Sequence, residues 1–99
     1  MVEKINPEYK VLIMRAMQYH FPSAKIYLFG SRARGTSNPG ADIDIAVNAG
    51  MQIDFGEMER ARVTLEHLSI PVFIDLVDMQ TIPEEFKKTI QKEGIEWTN

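Results

Sequence analysis

The chain's 99 residues, 44% of them hydrophobic and 25% charged, suffice for one soluble globular domain and not for two. A net charge of −3 argues against a duplex-DNA or RNA binder that works through a broad basic surface, so no direct nucleic-acid binding is expected. The absence of cysteine removes any disulfide framework, thiol nucleophile or thiolate metal site and fits a reducing, cytoplasmic setting.

Asn6-Pro7-Glu8 predicts a helix start, with Asn as cap, Pro at the first helical position and an acid in the first turn. Tyr9, Leu12, Ile13, Ala16 and Met17 then fall on one stripe, and Phe21-Pro22 ends the helix. Residues 24–29 form a short apolar run closed by Gly30, a first strand. Ser31 to Arg34 predicts the first turn of a short helix whose amides face back toward that strand end, and residues 36–41 predict a loop. Residues 43–47 predict the second strand, stopped by Asn48-Ala49-Gly50.

Asp54 is placed to cap a further helix whose apolar stripe is Phe55, Met58, Ala61, Arg62, Leu65 and Leu68. Ser69-Ile70-Pro71 breaks it, and residues 72–77 predict the third strand. Thr81-Ile82-Pro83-Glu84-Glu85 opens a last helix with Ile82, Phe86 and Ile90 at fourfold spacing, a Glu84–Lys88 surface pair and a C-cap region at Lys92-Glu93-Gly94. His20 and His67 lack zinc-pair spacing and are expected at the surface, the methionines serve as core filler, and Trp97 is expected to anchor packing. The order helix, strand, short helix, strand, helix, strand, helix predicts a single α/β or α+β domain over residues 1–99, a small sheet flanked by helices. The N-terminal residues carry neither the basic start nor the apolar run of a signal peptide, and no apolar stretch approaches membrane-spanning length, so no membrane association is expected.

The chemistry concentrates between Gly30 and Val47. Gly30 allows a backbone to approach a phosphate, the helix start after it offers free amides, Ser31 adds a hydroxyl, and Arg32 and Arg34 add charge. Taken alone, the same residues describe a tight strand-to-helix connection with two solvated arginines. No P-loop Gly-Lys-Ser/Thr and no Rossmann glycine triplet is present. Asp42 and Asp44, separated by Ile43, share one face of a strand, roughly 6.5–7 Å apart along the backbone. Two convergent carboxylates repel unless a cation lies between them, and magnesium suits carboxylate and phosphate oxygens. Asp75 interrupts the apolar run Val72-Phe73-Ile74-Asp75-Leu76-Val77 and needs a partner: a metal shared with Asp42 and Asp44, an arginine, or water at an edge strand.

This constellation resembles the nucleotidyltransferase superfamily that includes DNA polymerase beta. Gly30-Ser31 is followed by ten residues, then Asp42-Ile43-Asp44, with a third acid, Asp75, on a later strand. The wording Gly-Ser-Arg-Ala-Arg-Gly and the short length look closest to the minimal nucleotidyltransferase (MNT) antitoxins, and the likeness extends over essentially the whole chain. Ala41 departs mildly from the Ser often found before the first Asp. The resemblance implies the nucleotidyltransferase fold with a small mixed sheet, and magnesium-dependent transfer of AMP from ATP. It implies that Asp42, Asp44 and Asp75 act in catalysis and hold two magnesium ions, with Asp75 also taking the acceptor proton. Gly30 and Ser31 would grip the β/γ phosphates, assisted by Arg32. The acceptor it implies is a hydroxyl, a tyrosine's, on a HEPN-type ribonuclease toxin, which would make the chain an enzymatic antitoxin of a type VII toxin–antitoxin system. A non-catalytic module that masks the toxin, and a subunit of a small-molecule nucleotidyltransferase, stand as alternatives.

Overall fold

The computed structural model of the chain describes residues 3–97. The two ends of the expected 1–99 domain therefore lie outside the described residues. In chain order the elements are α1 (Pro7–His20), β1 (Lys25–Phe29), α2 (Ser31–Arg34), β2 (Ile43–Asn48), α3 (Phe55–Glu66), β3 (Ile74–Asp78), α4 (Glu84–Glu93) and β4 (Ile95–Trp97). None of these helices is long and apolar enough to cross a membrane.

Local chemistry sets the helix ends as the sequence suggests. The Asn6 side chain accepts the Glu8 N–H at 2.9 Å, and Pro7 occupies the first helical position. The Asp54 carboxylate accepts from the N–H groups of Gly56 and Glu57 and so caps α3.

The strands form one mixed sheet in the order β3-β2-β1-β4. β1 runs antiparallel to both β2 and β4, and β2 runs parallel to β3 through the α3 crossover. Alternation divides the sheet into two unlike faces. Ile43, Ile45 and Val47 of β2 are fully buried and join Ile26, Leu28 and Leu76 beneath α1 and α3, where Ile13, Met17, Ala61 and Leu65 meet them. On the other face α4 covers Phe29, Ala46 and Met79 with Ile90, while Phe86 meets Phe29 edge-on with ring centroids 5.6 Å apart. α4 does not extend over the whole of this face; toward its Gly30 end lie the acids Asp44 and Asp75.

Five expectations need correction. Met51 is 73% exposed on the loop after β2 rather than core filler. Phe55 is 76% exposed rather than part of the α3 stripe, because as the first helical residue it sits at the rim of the groove formed with Ile53, Met58, Val77 and Ile82. Arg62, also assigned to that stripe, is half-buried and donates to the Leu76 carbonyl at 2.9 Å, occupying an edge-strand acceptor. His20 is not a simple surface residue, since it is half-buried against α3 with its Nε2 2.7 Å from Thr64 Oγ1. Glu84 pairs with Lys87, at 3.9 Å, rather than Lys88.

The sequence reading contains no counterpart of β4. Trp97 is nevertheless the anchor it predicts: 3% exposed, paired across from Ile26, donating to Glu3 Oε1 at 2.8 Å, with Lys10 Nζ 5.3 Å from its ring centre. Replacing Trp97 with Ala empties a core position and frees β4. Urea denaturation should show a loss of about 3–5 kcal/mol; a loss below about 1 kcal/mol would mean that β4 contributes nothing to the sheet.

Candidate active site

The site begins where β1 ends. Gly30 has φ 75° and ψ −158°, a conformation that L side chains rarely adopt, and its position leaves no room for a Cβ, which would overlap the Asp44 Oδ2. Glycine is therefore needed twice over, for backbone angle and for space. The consequence is close contact between the small-residue turn and a carboxylate. Gly30 also accepts the N–H groups of Ala33 and Arg34 at 3.1 Å each, which starts α2. The N–H groups of Ser31 and Arg32, first in that helix, have no carbonyl of the helix to donate to.

Strand register brings the acids together. Asp44 lies opposite Phe29 on β1 and beside Asp75 on the parallel strand β3, so two carboxylates stand on neighbouring strands. Neighbouring strands are about 4.8 Å apart. Asp42 precedes Asp44 by two residues and follows it onto the same face. Asp75 sits on an edge strand, but Val72 and Ile74 pack toward the α1/α3 core, which leaves Asp75 on the Asp44 side.

Burial, then the charges of Asp75 and Asp42, raise the Asp44 carboxyl from an ordinary 3.8 to about 6, against the opposing fields of Arg34 and Arg32. Among the described residues no three acids or imidazoles are drawn together as a metal-ligand set. The donor set is all carboxylate oxygen, with no described ion pair on Asp42, Asp44 or Asp75. That chemistry fits a hard divalent cation.

The two arginines divide their work differently from the expectation. Arg32 is 6% exposed and turned into the protein, where its guanidinium donates to the carbonyls of Lys4, Pro39, Ala41 and Asp42 at 2.8–3.3 Å. It fastens the 36–42 loop rather than offering its donors to a phosphate, and reaches Asp44 only through its field. Arg34 is exposed, has the larger lowering effect on Asp44, and lies 3.5 Å from Glu93 of α4. Residues two apart on a helix point about 200° from one another, so one of the pair had to face inward. That spacing was the available signal. A cavity of about 500 Å³ between α1 and α3, lined by Tyr19, His20 and Val63, opens on the opposite face of the sheet from the acids.

Residues 12–97 match the family of polymerase beta nucleotidyltransferases. The chain belongs to this family. Among its relatives, a Haemophilus influenzae protein described as a probable protein adenylyltransferase, MntA, is 27% identical over 88 residues, covering 89% of this chain and 77% of the relative. The crystal structure of a toxin–antitoxin complex with AMP-PNP is similar at TM-score 0.76 and 27% identity, over 96% of this chain and 75% of that one. A Shewanella oneidensis complex of an MNT antitoxin with a tri-AMPylated HEPN toxin shares the fold at TM-score 0.72 and 24% identity, over 93% and 71% of the two chains.

Two outcomes follow from the geometry. Since the Asp44 pKa is higher in the folded than in the unfolded chain, the folded state binds more protons between pH 4 and 6, and this carboxyl costs stability as pH rises through that window. Thermal denaturation of metal-free Asp44→Asn should match wild type near pH 4 and exceed it above pH 6; an advantage independent of pH would contradict the repulsion. Arg32→Lys keeps the charge but cannot span four carbonyls, and should lose about 2–3 kcal/mol in urea denaturation. Arg34→Lys should stay within about 0.5 kcal/mol. Equal losses would mean that Arg32 does not hold the loop.

Proposed function

We propose that this chain is a magnesium-dependent protein adenylyltransferase that moves AMP from ATP onto a tyrosine hydroxyl of a HEPN-type ribonuclease toxin, and so acts as that toxin's antitoxin. The observation that carries the proposal is the unbroken row formed by the Gly30 turn, Asp44 and Asp75 across three strand ends. It is supported by family membership, by the MntA relative and by the toxin–antitoxin structure that holds a nucleotide analogue.

In this mechanism the Gly30–Ser31 turn holds the β/γ phosphates through backbone N–H groups and the Ser31 hydroxyl, with Arg34 as the accessible cation beside them. Magnesium held by Asp42, Asp44 and Asp75, as two ions, would neutralise charge on the transferring phosphoryl group and activate the acceptor hydroxyl. Asp75, at the open edge of the row, takes the acceptor proton. The acceptor oxygen forms a bond to the α-phosphorus, the bond from that phosphorus to the β-phosphate oxygen breaks, and pyrophosphate leaves. The product carries a bulky anionic phosphodiester where a neutral hydroxyl stood, which obstructs a site that must accept polyanionic RNA.

Incubating the chain with its HEPN toxin, ATP and magnesium should add one or more adenylate masses to the toxin, read by intact mass spectrometry. A small amount of chain should silence excess toxin, and inhibition should outlast their separation. Asp42→Ala and Asp75→Asn should each abolish the added mass. An unmodified toxin inhibited equally by wild type and Asp42→Ala would replace catalysis with masking.

A further inference from the structure

Phe73 is a large apolar side chain with 60% of its surface in water, two residues before Asp75. Val72 and Ile74 pack into the α1/α3 core, so alternation assigns Phe73 to the face of Asp75, at the rim of a small groove that it lines with Leu65, Glu66, Ile70, Val72 and Ile74. The Ile43 N–H donates to the Phe73 carbonyl at 2.9 Å, which carries the β2–β3 ladder one step beyond the strand and sets Phe73 alongside Asp42. The backbone register thus places an exposed aromatic residue level with Asp42 and two residues before Asp75.

The order of elements assigns the ring a side. The Gly30 turn ends β1, Asp44 is on β2, and Asp75 is on β3, which is the edge of the sheet. Attack on the α-phosphorus needs the incoming oxygen and the departing pyrophosphate on opposite sides of it. With the phosphates over the β1 turn, the acceptor comes from the β3 edge, where no further strand lies among the described residues. Residues two apart on a strand are separated by roughly 6.5–7 Å, about the length of a phenol side chain, so a ring on Phe73 reaches what Asp75 deprotonates.

Resting on the transferase reading above, we infer that Phe73 is a specificity-determining residue that packs against the acceptor's aromatic side chain and selects a phenolic hydroxyl over an aliphatic one. Ring-on-ring contact suits a tyrosine acceptor and gives serine or threonine nothing to pack against. Phe73 does no chemistry itself. It positions the oxygen that Asp75 serves.

The test uses the full chain, purified HEPN toxin and two variants, Phe73→Ala and Phe73→Trp. Calorimetry with magnesium and AMP-PNP reports nucleotide binding, and steady-state transfer reports KM separately for toxin and ATP. For Phe73→Ala the KM for toxin should rise about tenfold or more, as for an aromatic interface anchor, while AMP-PNP affinity and the KM for ATP stay within about twofold. Retained nucleotide binding also shows that the variant folds, and Phe73→Trp should recover most of the toxin affinity. An unchanged KM for toxin would overturn the inference, as would a parallel fall in AMP-PNP affinity, which would make the ring a platform for the base. If wild type binds toxin without transferring AMP, the transferase reading falls, and the toxin Kd of Phe73→Ala decides the role of the ring: weakening of about tenfold supports contact with the partner, and no change refutes it.

Discussion

The rest of the site depends on one close approach, that of the Asp44 carboxylate to the backbone of Gly30. A side chain at residue 30 would occupy the space that Asp44 Oδ2 fills, and the positive φ there excludes most other residues as well. With the turn and the acid touching, a phosphate held by the turn necessarily lies against a carboxylate. Two anions in contact demand a cation, and Asp75 and Asp42 add to the demand. The raised Asp44 pKa is the same frustration expressed as proton affinity.

The scaffold divides accordingly. The face of the sheet under α1 and α3 is dry, and Ile43, Ile45 and Val47 fix β2 so that Asp44 cannot turn away from its neighbours. The opposite face is shared between α4, which covers Phe29 and Ala46, and the acids at the other end. Arg32 belongs to the scaffold, since its donors tie Lys4, Pro39, Ala41 and Asp42 together just before β2. It converts the 36–42 loop from a flexible connection into a fixed support for the first acid of the pair. Stability stored in such contacts offsets the cost of gathering like charges.

Much of this arrangement was legible in the residues. The Asn6-Pro7 and Asp54 signals mark helix starts because a side-chain acceptor beside free N–H groups is local chemistry, independent of the rest of the fold. The spacing of Asp42 and Asp44 predicted a common face, and Asp75 stood out as an acid inside an apolar run; the register then sets it beside Asp44. What escaped were features decided by tertiary partners. β4 has three residues and exists because Ile26 and Leu28 offer an open edge. The inward course of Arg32 depends on carbonyls brought near by the loop. The buried acid of β3 is Asp78, 4% exposed, which accepts the N–H groups of Ile53 and Gln80; it lies one residue past the run that the sequence pattern ends at Val77, and its partners come from the 49–53 loop and the turn after β3.

The central claim is that the Gly30 turn and the three acids together form one site that binds nucleotide only when a divalent cation relieves their repulsion. The most direct measurement is a calorimetric titration of AMP-PNP into the chain, once with millimolar magnesium and once with the metal chelated, at pH 8 where Asp44 is ionised. The account predicts binding in the first case, loss of at least about tenfold in affinity in the second, and an increase in Tm when metal and nucleotide are both present. Equal affinity with and without magnesium would contradict it, because the nucleotide would then be bound somewhere other than against Asp44.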